Sequence, residues 1–251
     1  MRHIIISPDY GHLRDFIDTI PERMQHEGTT IYEARNLIKV MQAPDGTLLN
    51  VKRYRRPALP NNIVYSTGLR TPKGMRAYRY PTLLLSAGID TPAPVAYIED
   101  RHCGLLGMSY FISLQCPYPH RLYEVAQMDD AQSLPLARAF ATFTAHMHDK
   151  GFMHKDYSPG NILWQKDDDG SYRFSLVDIN RMYLGKVDMT EGCRNFRRLW
   201  GNKMFFEECA KTYAAARGMD EKKCVELTLE ARKKFWTSYL KRHDVEYEPD
   251  L

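Results

Sequence analysis

His154-Lys155-Asp156-Tyr157-Ser158-Pro159-Gly160-Asn161-Ile162-Leu163-Trp164, led in by His146-Met147-His148-Asp149-Lys150-Gly151-Phe152-Met153 and closed by Leu176-Val177-Asp178-Ile179-Asn180, is the stretch that decides the fold. An Asp followed five residues later by an Asn, then a short apolar strand, a turn, a second apolar strand and another Asp, is the order of parts in a phosphoryl-transfer loop and its metal-binding segment. Those parts are Asp156, Asn161 and Asp178.

The spacing has a geometric reason. Ile162-Leu163-Trp164 and Phe174-Ser175-Leu176-Val177 are β-prone, and Asp167-Asp168-Asp169-Gly170 between them is turn chemistry, which predicts an antiparallel hairpin. A hairpin returns the chain to where it left. Asn161 and Asp178 therefore share one end, near enough to hold one Mg²⁺, which takes oxygen ligands and keeps a nucleotide's phosphates in its shell. Asp156, before the bend at Pro159-Gly160, is placed to accept or orient the proton of an attacking hydroxyl. His154 is expected to hold the loop backbone by hydrogen bonds. The acidic run is not a calcium loop, because Gln165 takes the first ligand position and Leu176 the twelfth, so it reads as a solvated turn.

With 251 residues the chain is long enough for a sizeable core in one large domain or two intimate lobes. Lys plus Arg number 35 against 31 Asp plus Glu, a net charge of +4 that calls for no nucleic acid. The five cysteines lack any Cys-x-x-Cys pair and suit reduced thiols in a cytoplasm. No apolar run has the length of a membrane span, and Ile4-Ile5-Ile6 is too short for a signal-peptide core.

Working outward, the first twenty residues read as a lead-in with a short helix near Leu13 to Ile20, stopped at Pro21. Two β-prone runs, Thr30 to Val40 and Thr47 to Tyr54, flank the turn Ala43-Pro44-Asp45-Gly46. On the second, Leu49 and Val51 alternate with Asn50 and Lys52, which puts Lys52 opposite the core stripe or into a cleft under the sheet. In a kinase reading Lys52 holds the nucleotide's α- and β-phosphates. The phosphate-covering loop is expected just before Ile31, with Gly28 its one glycine. A helix over Lys73 to Ala87 carries an internal Pro81, expected to kink or restart it. Strands follow at Val95 to Ile98 and Leu105 to Leu114, then a connector at Gln115-Cys116-Pro117. Leu134 to Lys150 is a helix whose stripe of Leu136, Ala139, Phe140, Phe143 and Met147 delivers the loop. Two more helices, Asn202 to Arg217 and Asp220 to Arg242, close the chain, the second with Cys224, Leu227, Ala231 and Phe235 in register. The expected architecture is α+β, a two-lobed protein-kinase-like fold with a small β-rich lobe over residues 1–116 and a larger helical lobe over 117–251.

Several stretches together resemble the lipopolysaccharide kinase family, the Kdo/WaaP group: Arg35-Asn36-Leu37-Ile38-Lys39, Val51-Lys52-Arg53-Tyr54, Gly88-Ile89-Asp90-Thr91-Pro92-Ala93-Pro94-Val95-Ala96-Tyr97-Ile98-Glu99, His154 to Leu163, and Asp178-Ile179-Asn180-Arg181-Met182. The resemblance spans about Ile31 to Trp200. It implies ATP- and Mg²⁺-dependent phosphorylation of a Kdo or heptose hydroxyl of the lipopolysaccharide inner core, at the cytoplasmic face of the inner membrane. It also implies Asp156 as catalytic base, Asn161 and Asp178 as metal ligands and Lys52 as phosphate anchor. Asn180 stands where a protein kinase has glycine, as is usual for this family.

One departure stands out. The helix after the lysine strand should bring a Glu to that lysine, and the corresponding position here reads as Arg79, which leaves Glu33 or Glu99 as alternative partners for Lys52. Basic residues at Lys52 to Arg56, Arg70 to Lys73, Arg194, Arg197 and Arg198 suit the phosphates and carboxylates of a lipopolysaccharide core or an anionic membrane surface, and Arg181 lies beside the metal segment. A nucleotide-binding pseudoenzyme, motivated by Arg79 and the glycine-poor loop, and a kinase of another small-molecule or protein acceptor stay open. Nucleic-acid binding does not, since no recognition motif accompanies the basic clusters.

Overall fold

The computed structural model describes residues 1–34 and 36–251; Arg35, which heads the first of the quoted stretches, lies outside the described residues. The chain divides into two compact units, Met1–Pro117 and Tyr118–Leu251.

The first unit is built on a six-stranded sheet. Its strands are β1 (Arg2–Ile6), β2 (Thr29–Glu33), β3 (Leu37–Gln42), β4 (Leu48–Tyr54), β5 (Pro94–His102) and β6 (Leu105–Leu114), all antiparallel to their neighbours, in the order β1-β5-β6-β4-β3-β2. The short helices α1 (Arg14–Asp18) and α2 (Ile20–Arg23) cover one face, where Phe16, Ile17, Ile20 and Met24 join Leu49, Val51 and Ile112 in one core cluster. α3 (Asn61–Ser66) and α4 (Lys73–Ser86) follow β4. α4 buries Gly74, Ala77, Pro81 and Leu84 and runs unbroken through Pro81. Gly74 is a close-approach position, since a Cβ there would stand 2.7 Å from the Tyr97 ring.

Three further expectations for this unit change. Ile4-Ile5-Ile6 is not lead-in but part of β1, paired with Tyr97 and its neighbours on β5. The helix does not run to Ile20: it breaks at Thr19, and Pro21 sits in the first turn of α2, where a missing N–H costs nothing. The run Thr30 to Val40 is two strands, not one, folded back on themselves between Glu33 and Leu37.

In the second unit, α5 (Asp130–Asp149) is capped by Asp129, which accepts from the Gln132 N–H at 2.9 Å. Its buried stripe is wider than the spacing predicted, taking in Ala137, Ala141, Thr144, Ala145 and His148 while Phe143 is half-buried. Before it lies β7 (His120–Arg121); after it come β8 (Phe152–His154), β9 (Ile162–Lys166), β10 (Tyr172–Leu176) and β11 (Met182–Leu184). β9 and β10 form the expected hairpin, Leu176 opposite Ile162, closed by Gly170 N–H to the Asp167 carbonyl at 2.9 Å. α6 (Met189–Asn195), which the sequence reading passed over, precedes α7 (Lys203–Arg217) and α8 (Glu221–Tyr239). Asn202 and Asp220 cap the last two. The α8 stripe is shifted by one residue: Cys224, Thr228, Arg232 and Trp236 are buried, and Leu227, Ala231 and Phe235 are half-buried. Arg232 breaks the apolar pattern because its guanidinium is satisfied inside, by the Leu199 carbonyl at 2.7 Å and the Tyr247 hydroxyl at 3.2 Å, over the Phe206 ring.

Candidate active site

The loop after α5 is fastened at its first residues. His154 is fully buried; its Nδ1 accepts from the Asp156 N–H at 3.0 Å and its Nε2 donates to the Val177 carbonyl at 3.1 Å. Burial lowers its pKa, so the ring stays neutral and can accept on one nitrogen while donating from the other. One imidazole thereby ties Asp156 to the residue before Asp178. A 3₁₀ turn over Pro159–Asn161 follows, and Gly160 lies so close under Tyr123 that a Cβ would stand 2.8 Å from the phenol oxygen.

Asn161 and Asp178 meet as the hairpin requires. Val177 N–H donates to the Asn161 carbonyl at 3.0 Å, and the Asn161 side-chain amide donates to the Asp156 carbonyl at 2.8 Å. That bond uses the amide nitrogen and leaves the Asn161 side-chain oxygen, a hard donor, at the same hairpin end as Asp178. Asp178 has left-handed backbone geometry, φ 55° and ψ 39°, and its Oδ1 accepts from the Asn180 amide. Among the described residues no group of three or more His, Cys, Asp or Glu is arranged around one ion. An amide oxygen and one carboxylate nonetheless fit Mg²⁺, which usually takes one or two protein carboxylates and completes its shell with phosphates and water.

Asp156 is half-buried and ion-paired with Arg198, through Nη1 and Oδ1. Arg198 belongs to the 3₁₀ turn Phe196–Arg198 that continues α6. That segment is bolted to the loop by the buried Asn195, whose amide donates to the His154 carbonyl at 3.1 Å and whose oxygen accepts from His148 at 3.2 Å. The sequence offers Arg198 as a basic residue for an acidic acceptor or membrane surface, but not its pairing with Asp156, and it does not mark Asn195 or His148. Arg181 follows Asn180, three residues after Asp178, exposed, its carbonyl accepting from the Lys155 N–H at 3.1 Å.

In the first unit Lys52 is half-buried on β4, between Ile38 of β3 and Phe111 of β6, with its Nζ 5.5 Å from the centre of the Tyr54 ring. The register displaces Gly28. Thr29 pairs with Val40, two residues along β3 from the Ile38 that faces Lys52, and β2 and β3 are joined instead at their Glu33–Leu37 end, one step beyond Lys52. Arg55 donates to the Ala34 carbonyl just past that end of β2, at 3.1 Å. Gly28 serves the backbone instead, since at φ 82° it lets the chain pass the Val40 carbonyl, where a Cβ would come within 2.9 Å. Arg79 is exposed, off the face by which α4 meets the sheet, and α4 contains no acidic residue. Glu99 is buried and accepts from the Tyr97 hydroxyl and from Arg101, both at 2.7 Å, while Glu33 lies on the exposed β2. Beside Tyr54 a pocket of about 380 Å³ is lined by Asn36, Arg55, Arg56, Tyr65 and Lys73.

Comparisons with known proteins bear on the fold and the family. WaaP in complex with acyl carrier protein shares the fold with a TM-score of 0.61 at 17% identity, over 93% of this chain and 99% of that one. The Rio2 kinase from Chaetomium thermophilum, as its ADP/Mg²⁺-phosphoaspartate complex, aligns over 92% of this chain and 78% of its own at 15% identity, with a TM-score of 0.46. No curated protein matches the chain. The fold is thus α+β and protein-kinase-like. The family model for the lipopolysaccharide kinase (Kdo/WaaP) family matches residues 22–214, and the chain belongs to that family.

Proposed function

We propose that this chain is an ATP-dependent kinase that phosphorylates a Kdo or heptose hydroxyl of the lipopolysaccharide inner core. The observation that carries the reading is the junction of Asn161, Asp178 and Asp156 at one end of the β9–β10 hairpin, tied together by His154. Asn161 and Asp178 would hold Mg²⁺, which, with the nucleotide bound, neutralises charge on the transferring phosphoryl group. Lys52 would anchor the α- and β-phosphates. Asp156 would orient the acceptor hydroxyl and accept its proton as the new P–O bond forms and the bond from the γ-phosphorus to the β-phosphate oxygen breaks, releasing ADP. Arg181, beside the metal segment, would face the acceptor. No helix among the described residues is long and apolar enough to cross a membrane; work on a membrane-bound glycolipid would place the enzyme in the cytoplasm, peripheral at the anionic inner face of the inner membrane. The absence of any acid from α4 supports a second reading, a pseudoenzyme that binds nucleotide without turnover.

The test is mass spectrometry of Kdo-lipid A and of a heptose-extended core after incubation with the protein and Mg-ATP, beside Asp156→Ala. A gain of one phosphate with wild type alone is expected and identifies the acceptor. Confirmed Mg-ATP binding with no gain on either acceptor selects the pseudoenzyme or another substrate.

A further inference from the structure

Arg194, Arg197 and Arg198 sit within five residues, at the end of α6 and in the turn that follows. Their charge is poorly matched. Arg198 has Asp156, Arg197 donates only to the Arg194 carbonyl, at 2.8 Å, and the exposed Arg194 side chain makes no hydrogen bond or ion pair among the described residues. The charges that bear on the half-buried Arg197 are both cationic, and with burial they push its guanidinium below the usual range. Like charges gathered this closely destabilise a fold unless something else fixes them in place. Here the backbone is fastened on both sides, by Asn195 to His154 before the turn and by the buried Arg232 to the Leu199 carbonyl after it. The backbone that carries the three forks is therefore held in place relative to Asp156, the one carboxylate paired with any of them among the described residues.

Guanidinium forks match phosphate and carboxylate groups bidentately, and a fixed backbone beneath them limits the freedom lost on binding one. We propose that Arg194, Arg197 and Arg198 form the acceptor-recognition site, binding an acid group carried by the glycolipid next to the hydroxyl that is phosphorylated. This rests on the sugar-kinase reading above. An anion seated here competes with Asp156 for Arg198, so the arrival of the acceptor frees the carboxylate for the acceptor's own hydroxyl. The same three residues then select acidic over neutral acceptors and release the base only when one is present.

The experiment uses the full chain with Arg194→Gln and Arg197→Gln, singly and combined, leaving Arg198 in place. Binding is measured to neutral-detergent micelles carrying Kdo-lipid A, a neutral glycolipid or phosphatidylglycerol, with inorganic phosphate as competitor, and acceptor KM is measured in parallel. The combined variant should bind Kdo-lipid A at least tenfold more weakly and raise acceptor KM by a similar factor. Its Mg-ATP affinity should match wild type, and neutral micelles should bind neither protein. Arg194→Gln, exposed and without packing to lose, should show part of the effect by itself. Unchanged glycolipid binding in the combined variant overturns the proposal, as does a wild type that does not bind Kdo-lipid A. Phosphatidylglycerol binding as tight as glycolipid, and lost in parallel, also overturns it in favour of a membrane-surface patch. Arginine-dependent glycolipid binding with no phosphate transfer would instead remove the kinase reading and leave a glycolipid-anion site.

Discussion

At His154 one side chain serves two backbone groups, so the residue's contribution is positional. Replacing it with Leu removes the acceptor for the Asp156 N–H and the donor for the Val177 carbonyl in a buried setting. The expected loss is roughly 2–4 kcal/mol of stability, read from urea unfolding. A fall in kcat larger than the rise in ATP KM is also expected, because the groups released are those that hold Asp156. His148 adds a pH dependence. Its burial lowers the pKa to about 3, and burial lowers that of His154 as well. Unfolding returns both rings to about 6.5, so below that pH the unfolded chain binds protons that the folded chain refuses. Stability is therefore full above about pH 6.5 and lost as the pH falls, by up to roughly 1 kcal/mol per pH unit for each ring. Urea midpoints at pH 7.5 and 5.0 check this; equal midpoints would refute it.

Among the elements, α8 and the 199–201 segment act together. Arg232 stands where an amphipathic stripe calls for an apolar side chain, and it donates to the Leu199 and Gly201 carbonyls and to Tyr247. Arg232→Ala strands those acceptors and opens a cavity, with an expected cost of roughly 3–5 kcal/mol in urea unfolding. Because Leu199 directly follows Arg198, turnover should fall with it. The hairpin around Asp156, Asn161 and Asp178 was legible in the sequence because its signal is local: β-prone runs, a turn and a five-residue spacing. Asn195 was not legible, since its partners His154 and His148 lie 41 and 47 residues away and no local pattern marks them. Gly28 misled for a related reason. A glycine before a strand suggests a phosphate loop, but only the register, with Thr29 opposite Val40, reveals which reversal lies beside Lys52. The one-residue error on α8 followed from taking apolarity as the mark of burial, when Thr228 and Arg232 are buried because their polar atoms have somewhere to go or little area to lose.

Over the whole molecule, Lys52 belongs to the first unit and Asp156, Asn161 and Asp178 to the second. Variants in the two units should separate kinetically. Lys52→Ala is expected to lower kcat/KM for ATP about 100-fold, the scale of one lost phosphate contact in phosphoryl transfer, while leaving glycolipid binding by the arginine cluster intact; equilibrium binding beside initial rates distinguishes the two. The same comparison needs a dead enzyme that is otherwise unharmed, and the left-handed backbone of Asp178 determines which one to make. Alanine, the customary choice, is strained in that conformation, whereas glycine adopts it freely, so Asp178→Gly should be more stable than Asp178→Ala by roughly 1 kcal/mol while lacking the carboxylate proposed to hold Mg²⁺ just as completely. For any cell-based assay of this chain, glycine at 178 is then the inactive control whose abundance stays closest to wild type, and a phenotype seen with alanine alone would report lost protein rather than lost chemistry.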